Sequence, residues 1–221
     1  PDGPFRPLHR LGPARMRFIV DAAARNFARP PGAGQFDGLT AIDIGCGGGL
    51  ATEPLRRLGA SATGLDVTEE NLRAARAHAE NAGLEIDYRL GTAEALAATG
   101  AAYDLVVSLE VVEHTPDPEA FLAATAALVK PGGLLVLATI NRTVKSLALA
   151  KIAAEYVLGW LPRGTHDWRK FMRPSEMARP VRQAGLRVDR VEGAIYQPLT
   201  DEWRLGPDTS MNYMLAATRP L

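Results

Sequence analysis

Short apolar runs alternate with windows of helical periodicity through the first two thirds of the chain. The apolar runs, which predict strands, are Leu39–Ile44, Ala62–Leu65, Ile86–Leu90, Tyr103–Ser108 and Leu134–Ile140. The helical windows between them are Leu50–Leu58, Glu69–Ala82 and Pro118–Leu128. Runs that are apolar throughout, without strict alternation, are typical of parallel strands covered on both faces. The pattern therefore predicts an α/β fold with a parallel sheet and crossover helices.

The pattern changes after the fifth apolar run. A long helical window, Val144–Leu161, is followed by a loop rich in Trp, His and basic residues. A helix is predicted around Ser175–Ala184, and the runs Leu186–Glu192 and Tyr213–Thr218 predict two closing strands. Since the stretch up to about Phe27 also has helical spacing, we expect it to cap one edge of the sheet.

We therefore expect one domain, 1–221, with seven strands. Its predicted parts are an N-terminal helical cap (1–38), a cofactor-binding core (39–141), a helical lid or membrane-facing insertion (142–180) and the closing strands (181–221).

Composition narrows the class of protein. Of 221 residues, 47% are hydrophobic, which excludes a disordered chain, and 25 Lys and Arg balance 25 Asp and Glu. This balance gives no general attraction to nucleic acid. A single cysteine, Cys46, excludes a disulfide framework or a Cys-rich zinc site and fits a reducing compartment. No apolar run has the length of a membrane span and the first residues lack signal-peptide features, so we expect a soluble intracellular protein.

The most specific motif is a glycine-rich turn, Asp43-Ile44-Gly45-Cys46-Gly47-Gly48-Gly49, between a predicted strand and a helix. Such a turn lets the backbone approach a ligand at the positive end of a helix. Asp66, at the end of the second strand, is placed to accept hydrogen bonds from ribose hydroxyls. A dinucleotide site would need a third glycine where Leu50 stands. The turn instead resembles D-x-G-x-G-x-G, the S-adenosylmethionine (SAM) fingerprint of Rossmann-like methyltransferases, and the positive sulfonium and ammonium groups of SAM suit a carboxylate such as Asp43.

Two further cofactor contacts are predicted with less specificity. Glu94 follows the third strand, at the position where proteins with this glycine turn contact the adenine end of SAM. A solvated loop carboxylate is an equally good interpretation of Glu94. Leu109 ends the fourth strand, and its backbone would lie under the cofactor.

Several short strings carry a family resemblance. They include Phe5-Arg6-Pro7-Leu8-His9-Arg10, Glu110-Val-Val-Glu113-His114-Thr-Pro-Asp-Pro, Val129-Lys-Pro-Gly-Gly, Asn141-Arg-Thr, Gly164-Thr165-His166-Asp167 and Met211-Asn212-Tyr213-Met214. Together they resemble the ubiquinone-biosynthesis O-methyltransferases over nearly the whole chain. The resemblance implies a Rossmann-like SAM-dependent methyltransferase fold with a seven-stranded sheet whose last strand is antiparallel. It also implies O-methylation of polyprenylated phenols or catechols, with other proteins of ubiquinone biosynthesis as partners.

The resemblance assigns cofactor contacts to Arg15, Gly45, Asp66 and Leu109. With the residues singled out by the turn and the strand ends, the predicted set is Arg15, Asp43, Gly45, Gly47, Asp66, Glu94 and Leu109. The role of Arg15, an arginine of the N-terminal helix that would pair with the methionine carboxylate of SAM, rests on the resemblance alone.

Glu110, Glu113 and His114 are the predicted catalytic residues. Their i, i+3, i+4 spacing would put them on one face of a helical turn. The resemblance implies that they bind a divalent cation such as Mg²⁺, which would ease loss of the hydroxyl proton. Two alternatives stay open. The cluster shapes the pocket without a metal, or His114 acts as a general base.

The segment 144–171 supports two interpretations. Its aromatic and basic residues suit a membrane interface, where a polyprenyl substrate resides, and its periodicity equally suits a lid packed on the core. We expect a cytoplasmic protein with peripheral contact at the inner membrane. The main alternative function is SAM-dependent O-methylation of another small phenol. A nicotinamide-dependent oxidoreductase and a catalytically silent SAM-binding protein are disfavoured by Leu50 and by the acidic cluster.

Overall fold

The computed structural model describes residues 6–147, 168–197 and 200–221. Its strands are β1 (Thr40–Ile44), β2 (Ser61–Asp66), β3 (Asp87–Leu90), β4 (Tyr103–Leu109), β5 (Val129–Ile140), β6 (Arg187–Gln197), β7 (Glu202–Gly206) and β8 (Asn212–Thr218). Its helices are α1 (Arg6–Asn26), α2 (Thr52–Arg57), α3 (Glu69–Asn81), α4 (Ala93–Ala98), α5 (Pro118–Ala127), α6 (Val144–Ser146) and α7 (Pro174–Gln183), with 3₁₀ turns at Val112–His114 and Trp168–Lys170.

Within these ranges the strands form one sheet in the order β3-β2-β1-β4-β5-β8-β6-β7. The first five strands are parallel, and β8 lies antiparallel to both β5 and β6. The chain leaves β1 towards β2 on one side and later returns to β4 on the other side. This reversal opens a crevice at the carboxyl ends of β1 and β4, where open α/β sheets bind ligands.

The structure confirms the α/β class, the parallel core and the antiparallel last strand, but the described residues form eight strands where seven were expected. The additional strand, Glu202–Gly206, pairs with β6 as a hairpin at the sheet edge. This strand has only 5 residues, and two of them, Glu202 and Arg204, are charged and exposed. It therefore contains no apolar run by which the sequence could predict it. The short helix Ala93–Ala98 was missed as well, and it is capped by the Thr92 side chain.

The predicted helix Val144–Leu161 appears only as its first turn, Val144–Ser146, and the rest lies outside the described residues. So does most of the segment 144–171 expected to act as lid or membrane contact. In the ranges that the structure describes, no helix is long and apolar enough to cross a bilayer.

Helix α1 brings the N-terminal segment to the sheet. Phe18 and Ile19 are fully buried in a cluster with apolar side chains of β4, β5 and β8. Burying two such side chains contributes about 1.5–3 kcal/mol each. The opposite face of the sheet packs on α5 and α7 through Leu122 and Met177. Because α1 is fixed by these contacts, a polar side chain on its remaining face can be placed accurately over the sheet edge.

Candidate functional site

The glycine-rich turn between β1 and α2 requires glycine for two reasons. Gly45 and Gly47 have positive φ angles of 73° and 52°, which L side chains rarely adopt. A Cβ at Gly45 would also lie 2.4 Å from the Val111 side chain, so the turn packs directly against the residues after β4. At Gly47 a Cβ would meet no protein atom within 4 Å. The backbone is therefore packed on one side and open on the other, as close approach of a ligand demands.

Asp66 fastens this turn to the end of β2. Its carboxylate accepts hydrogen bonds from the backbone N–H of Gly47 and Thr68, both at 2.9 Å, and from the Asn71 side chain at 3.2 Å. A carboxylate offers about four acceptor positions. One position therefore remains for a direct hydrogen bond to a ribose hydroxyl, and the other three fix the orientation of Asp66.

Asp43 lies beneath the turn and is buried. Its Oδ2 accepts a hydrogen bond from the Thr52 hydroxyl at 2.7 Å. Burial raises the pKa of Asp43 to about 6, although the hydrogen bonds from Thr52 and the charge of Arg15 oppose this rise. The carboxylate thus joins the end of β1 to the start of α2. Asp43 therefore supports the turn from below.

Arg15 reaches this edge from α1. Its Nη2 donates to Glu110 Oε1 at 2.9 Å, and the side chains of Arg15 and Glu110 are only 12% and 17% exposed. Its charge also acts on Asp43. The structure therefore places the predicted arginine between the ends of β1 and β4, as an N-terminal arginine that binds the cofactor requires.

Glu113 is buried on the 3₁₀ turn Val112–His114. The Thr139 hydroxyl donates to its Oε2 at 2.8 Å. Burial raises the pKa of Glu113 well above its ordinary value, and the nearby charge of Glu110 raises it further. His114, on the same turn, is exposed. Glu110 and Glu113 are therefore neighbours, whereas the imidazole faces a different environment.

As arranged here, the three predicted metal ligands do not form a ligand set. In the part of the chain that the structure describes, no three His, Cys, Asp or Glu side chains are grouped so that they could hold a metal ion. Glu110 accepts a hydrogen bond from Arg15, Glu113 accepts one from Thr139, and His114 is exposed. The i, i+3, i+4 spacing implied a helical turn from Glu110 onwards, but Glu110 has a left-handed backbone with a φ of 56°, and the 3₁₀ turn begins only at Val112. A divalent ion at these residues stays a prediction that this geometry does not support.

The two less specific contacts are less constrained. Glu94 is exposed in the first turn of α4, and Leu109 is the last residue of β4, half-buried beside the glycine turn.

Two apolar side chains near Asp66 were not predicted as site residues from the sequence. Single apolar residues at strand ends are common, so nothing in the sequence distinguished them. Val67 is 69% exposed and Leu90 is 58% exposed. Exposed apolar side chains at this edge suit the face of a planar base.

Comparisons with known proteins agree with this geometry. Residues 11–191 match the family model described as "Methyltransferase domain". The chain is 54% identical over 219 residues to the ubiquinone biosynthesis O-methyltransferase of Methylobacterium sp. (strain 4-46), covering 99% of this chain and 88% of that protein. It is 50% identical to the protein of the same name from Parvibaculum lavamentivorans, covering 99% of this chain and 87% of that protein.

Solved structures are similar in fold. Magnesium protoporphyrin IX methyltransferase from Synechocystis PCC 6803, with bound SAH, superposes with a TM-score of 0.66 at 21% identity, covering 93% of this chain and 84% of that one. A SAM-dependent methyltransferase from Clostridium acetobutylicum gives a TM-score of 0.67 at 11% identity, covering 95% and 92%. These structures share the methyltransferase fold, and the curated relatives share half of the sequence over nearly its full length. The chain belongs to the family of ubiquinone biosynthesis O-methyltransferases.

Proposed function

We propose that this chain transfers the methyl group of SAM to a hydroxyl of a polyprenylated phenol or catechol in ubiquinone biosynthesis. The observation that carries the proposal is the common edge of β1, β2 and β4. An open glycine turn stands there beside Asp66, and directly after β4 Arg15 contacts Glu110, which in turn lies close to the buried Glu113. A cofactor bound over the turn would have its reacting end directed towards the residues after β4.

The proposed cofactor contacts follow from this placement. Asp66 accepts from a ribose hydroxyl, Gly45 and Gly47 allow close backbone approach, and Arg15 pairs with the cofactor carboxylate. Asp43 supports the turn from below. Leu109 and Glu94 border the site, with the apolar side chains Val67 and Leu90 beside the base. When bound, SAM supplies a methyl group on a positively charged sulfur, which is already an activated donor.

On the substrate side, the chain must orient a hydroxyl and remove its proton. A phenol with a pKa of roughly 10 is mostly protonated near neutrality. Glu113 accepts protons better than an ordinary carboxylate because its pKa is raised, so we assign it the hydroxyl proton, with His114 as the second candidate. Holding the oxygen in line with the methyl group contributes most of the acceleration. Glu110, the third residue predicted to be catalytic, takes no proton in this scheme, because its carboxylate accepts a hydrogen bond from Arg15.

The substrate class is supported by the curated relatives and by the segment 144–171. Val144, its first residue, is 80% exposed, as an apolar contact with a lipid or a lid would require. Peripheral docking of this segment on the inner membrane from the cytoplasm belongs to the proposal. Its support is the chemistry of a substrate whose prenyl chain resides in the bilayer.

Methyl transfer to 3-farnesylcatechol in phospholipid vesicles, compared with transfer to catechol without vesicles, tests the proposal. We expect kcat/KM to be at least about tenfold higher for the prenylated substrate, because each buried CH₂ contributes about 0.8 kcal/mol. Equal values would favour another small phenol as substrate. No transfer to either compound, with no binding of SAM, would overturn the proposal. Adding EDTA and then Mg²⁺ to the same assay tests the predicted ion.

A further inference from the structure

The guanidinium of Arg15 is only partly satisfied. Nη2 donates to Glu110, but Nε is buried and has no hydrogen-bond partner among residues 6–147, 168–197 and 200–221. A buried N–H without an acceptor is destabilising. Glu110 therefore satisfies only part of the Arg15 guanidinium, and a further acceptor would stabilise it.

Glu110 is fixed in an unusual backbone conformation. Its φ is 56°, which costs a non-glycine residue about 1–2 kcal/mol, and its N–H donates to Ala138 O of β5 at 2.9 Å. The hydrogen bond to β5 fixes this residue immediately after β4. Strain of this kind persists only where the surroundings determine it, and it is concentrated at functional sites. In this backbone conformation the Glu110 side chain contacts Arg15.

The contact itself argues against Glu110 as a metal ligand. A dication bound to the same carboxylate would stand beside the guanidinium, and two positive groups on one carboxylate repel each other. The acceptor atom Oε1 instead orients a cation that has five N–H donors in a rigid plane. One edge of that plane is held by Glu110, so the remaining edges are left to a second acceptor.

We propose that Glu110 is a positioning residue for the cofactor. It holds the Arg15 guanidinium in place so that the N–H groups not used by Glu110 can pair with the carboxylate of bound SAM, and it acts on the cofactor only through Arg15. This inference rests on the proposed function, because it requires that the crevice bind SAM. It changes the predicted role of Glu110 from the substrate side of the site to the cofactor side.

The test compares two ligands that differ in the carboxylate. S-adenosylhomocysteine (SAH) carries the amino-acid group, and methylthioadenosine lacks it. Both are titrated calorimetrically in EDTA, so that no divalent ion contributes. We expect Glu110→Ala to weaken SAH binding about tenfold, which corresponds to about 1.4 kcal/mol, and to leave methylthioadenosine binding unchanged, because the variant loses the charge-assisted hydrogen bond that orients Arg15. Glu110→Gln, which retains the acceptor Oε1, should recover SAH affinity to within about threefold of the wild type.

A matched control is the pair Arg190–Glu192, which is also part-buried, with 2.7 Å between Arg190 Nε and Glu192 Oε1. Glu192→Ala should leave the affinity ratio of the two ligands unchanged. Unchanged or tighter SAH binding by Glu110→Ala, equal loss for both ligands, or no recovery by Glu110→Gln would each overturn the proposal. Wild-type protein that binds neither ligand would refute the proposed function itself, and the role of Glu110 with it.

Discussion

The acidic groups at this sheet edge are held in two different ways. After β2, the Asp66 carboxylate accepts three hydrogen bonds from N–H groups. After β4, Glu113 receives one hydroxyl hydrogen bond from Thr139 and lies beside a second carboxylate, Glu110. The first region is satisfied before a ligand arrives. The second brings two carboxyl groups close together, and both burial and the neighbouring Glu110 disfavour the charged form of Glu113, while Arg15 pairs with Glu110.

The difference corresponds to the proposed division of roles at this edge. Asp66 belongs to a cofactor half, and Glu113 belongs to a proton-accepting half. A cofactor site benefits from rigid donors and acceptors that need no rearrangement. A site that takes a proton benefits from a carboxyl whose pKa is raised above its ordinary value, which burial and the neighbouring Glu110 provide at Glu113. Arg15, which contacts Glu110 and acts on Asp43, is the side chain that joins the two halves.

Glu113→Gln is the variant with the largest expected effect, and it should change turnover without changing cofactor affinity. We expect turnover to fall by about 10²–10⁴-fold, because the variant has no carboxylate to accept the hydroxyl proton. SAH affinity should stay within about twofold of the wild type. Single-turnover kinetics with 3-farnesylcatechol measures the first quantity, and calorimetry measures the second. A larger loss in His114→Ala than in Glu113→Gln would move the proton acceptor to the imidazole.

A pair of glycine variants distinguishes packing from ligand access. Gly45→Ala should lower the free energy of unfolding by about 2–4 kcal/mol, since its Cβ would collide with Val111 at a strained φ. Gly47→Ala meets no protein atom, so it should cost only about 1 kcal/mol in stability yet weaken SAH binding. Urea denaturation and SAH titration of both proteins give the four values. Equal stability losses, or undisturbed binding in Gly47→Ala, would contradict the open side of the turn.

Asp43→Asn tests how much folding stability the protein loses when the buried Asp43 ionises. The pKa of Asp43 in the folded protein, about 6, lies above its ordinary value of 3.8. The stabilisation from its bound proton is therefore complete below about pH 4 and is lost as the pH rises through 6. We expect the wild type to lose about 2–3 kcal/mol relative to the variant between pH 4 and pH 7. Urea denaturation of the ligand-free proteins measures this change, and a difference independent of pH would refute the buried ionisation.

The features predicted from sequence are those set by local patterns. The strand, glycine turn and helix around Gly45 are contiguous, and Asp66 ends the next strand, so periodicity and spacing placed them correctly. The contact between Arg15 and Glu110 joins residues 95 positions apart and depends on how α1 crosses the sheet. No local pattern contains that information. Arg15 itself was found only through the family resemblance.

The prediction for the acidic cluster shows a second limit. Spacing alone suggested a helical turn with three side chains on one face, but the backbone at Glu110 is left-handed and the turn is a 3₁₀ turn. Thr139 was visible only as a polar residue within the apolar run Leu134–Ile140, a weak sign that its strand faces a polar group. The edge strand β7 was missed because exposed charges replace the apolar residues that identify buried strands.

Calorimetric titration of the wild type and of Asp66→Ala with SAM, and of the wild type with NADH, tests the central claim most directly. The claim is that the edge of β1, β2 and β4 binds SAM. We predict that the wild type binds SAM and not NADH, and that Asp66→Ala weakens SAM binding at least about tenfold, because the variant loses the acceptor for the ribose and the anchor of Gly47. Equal SAM affinity in both proteins, or binding of NADH without SAM, would contradict the account.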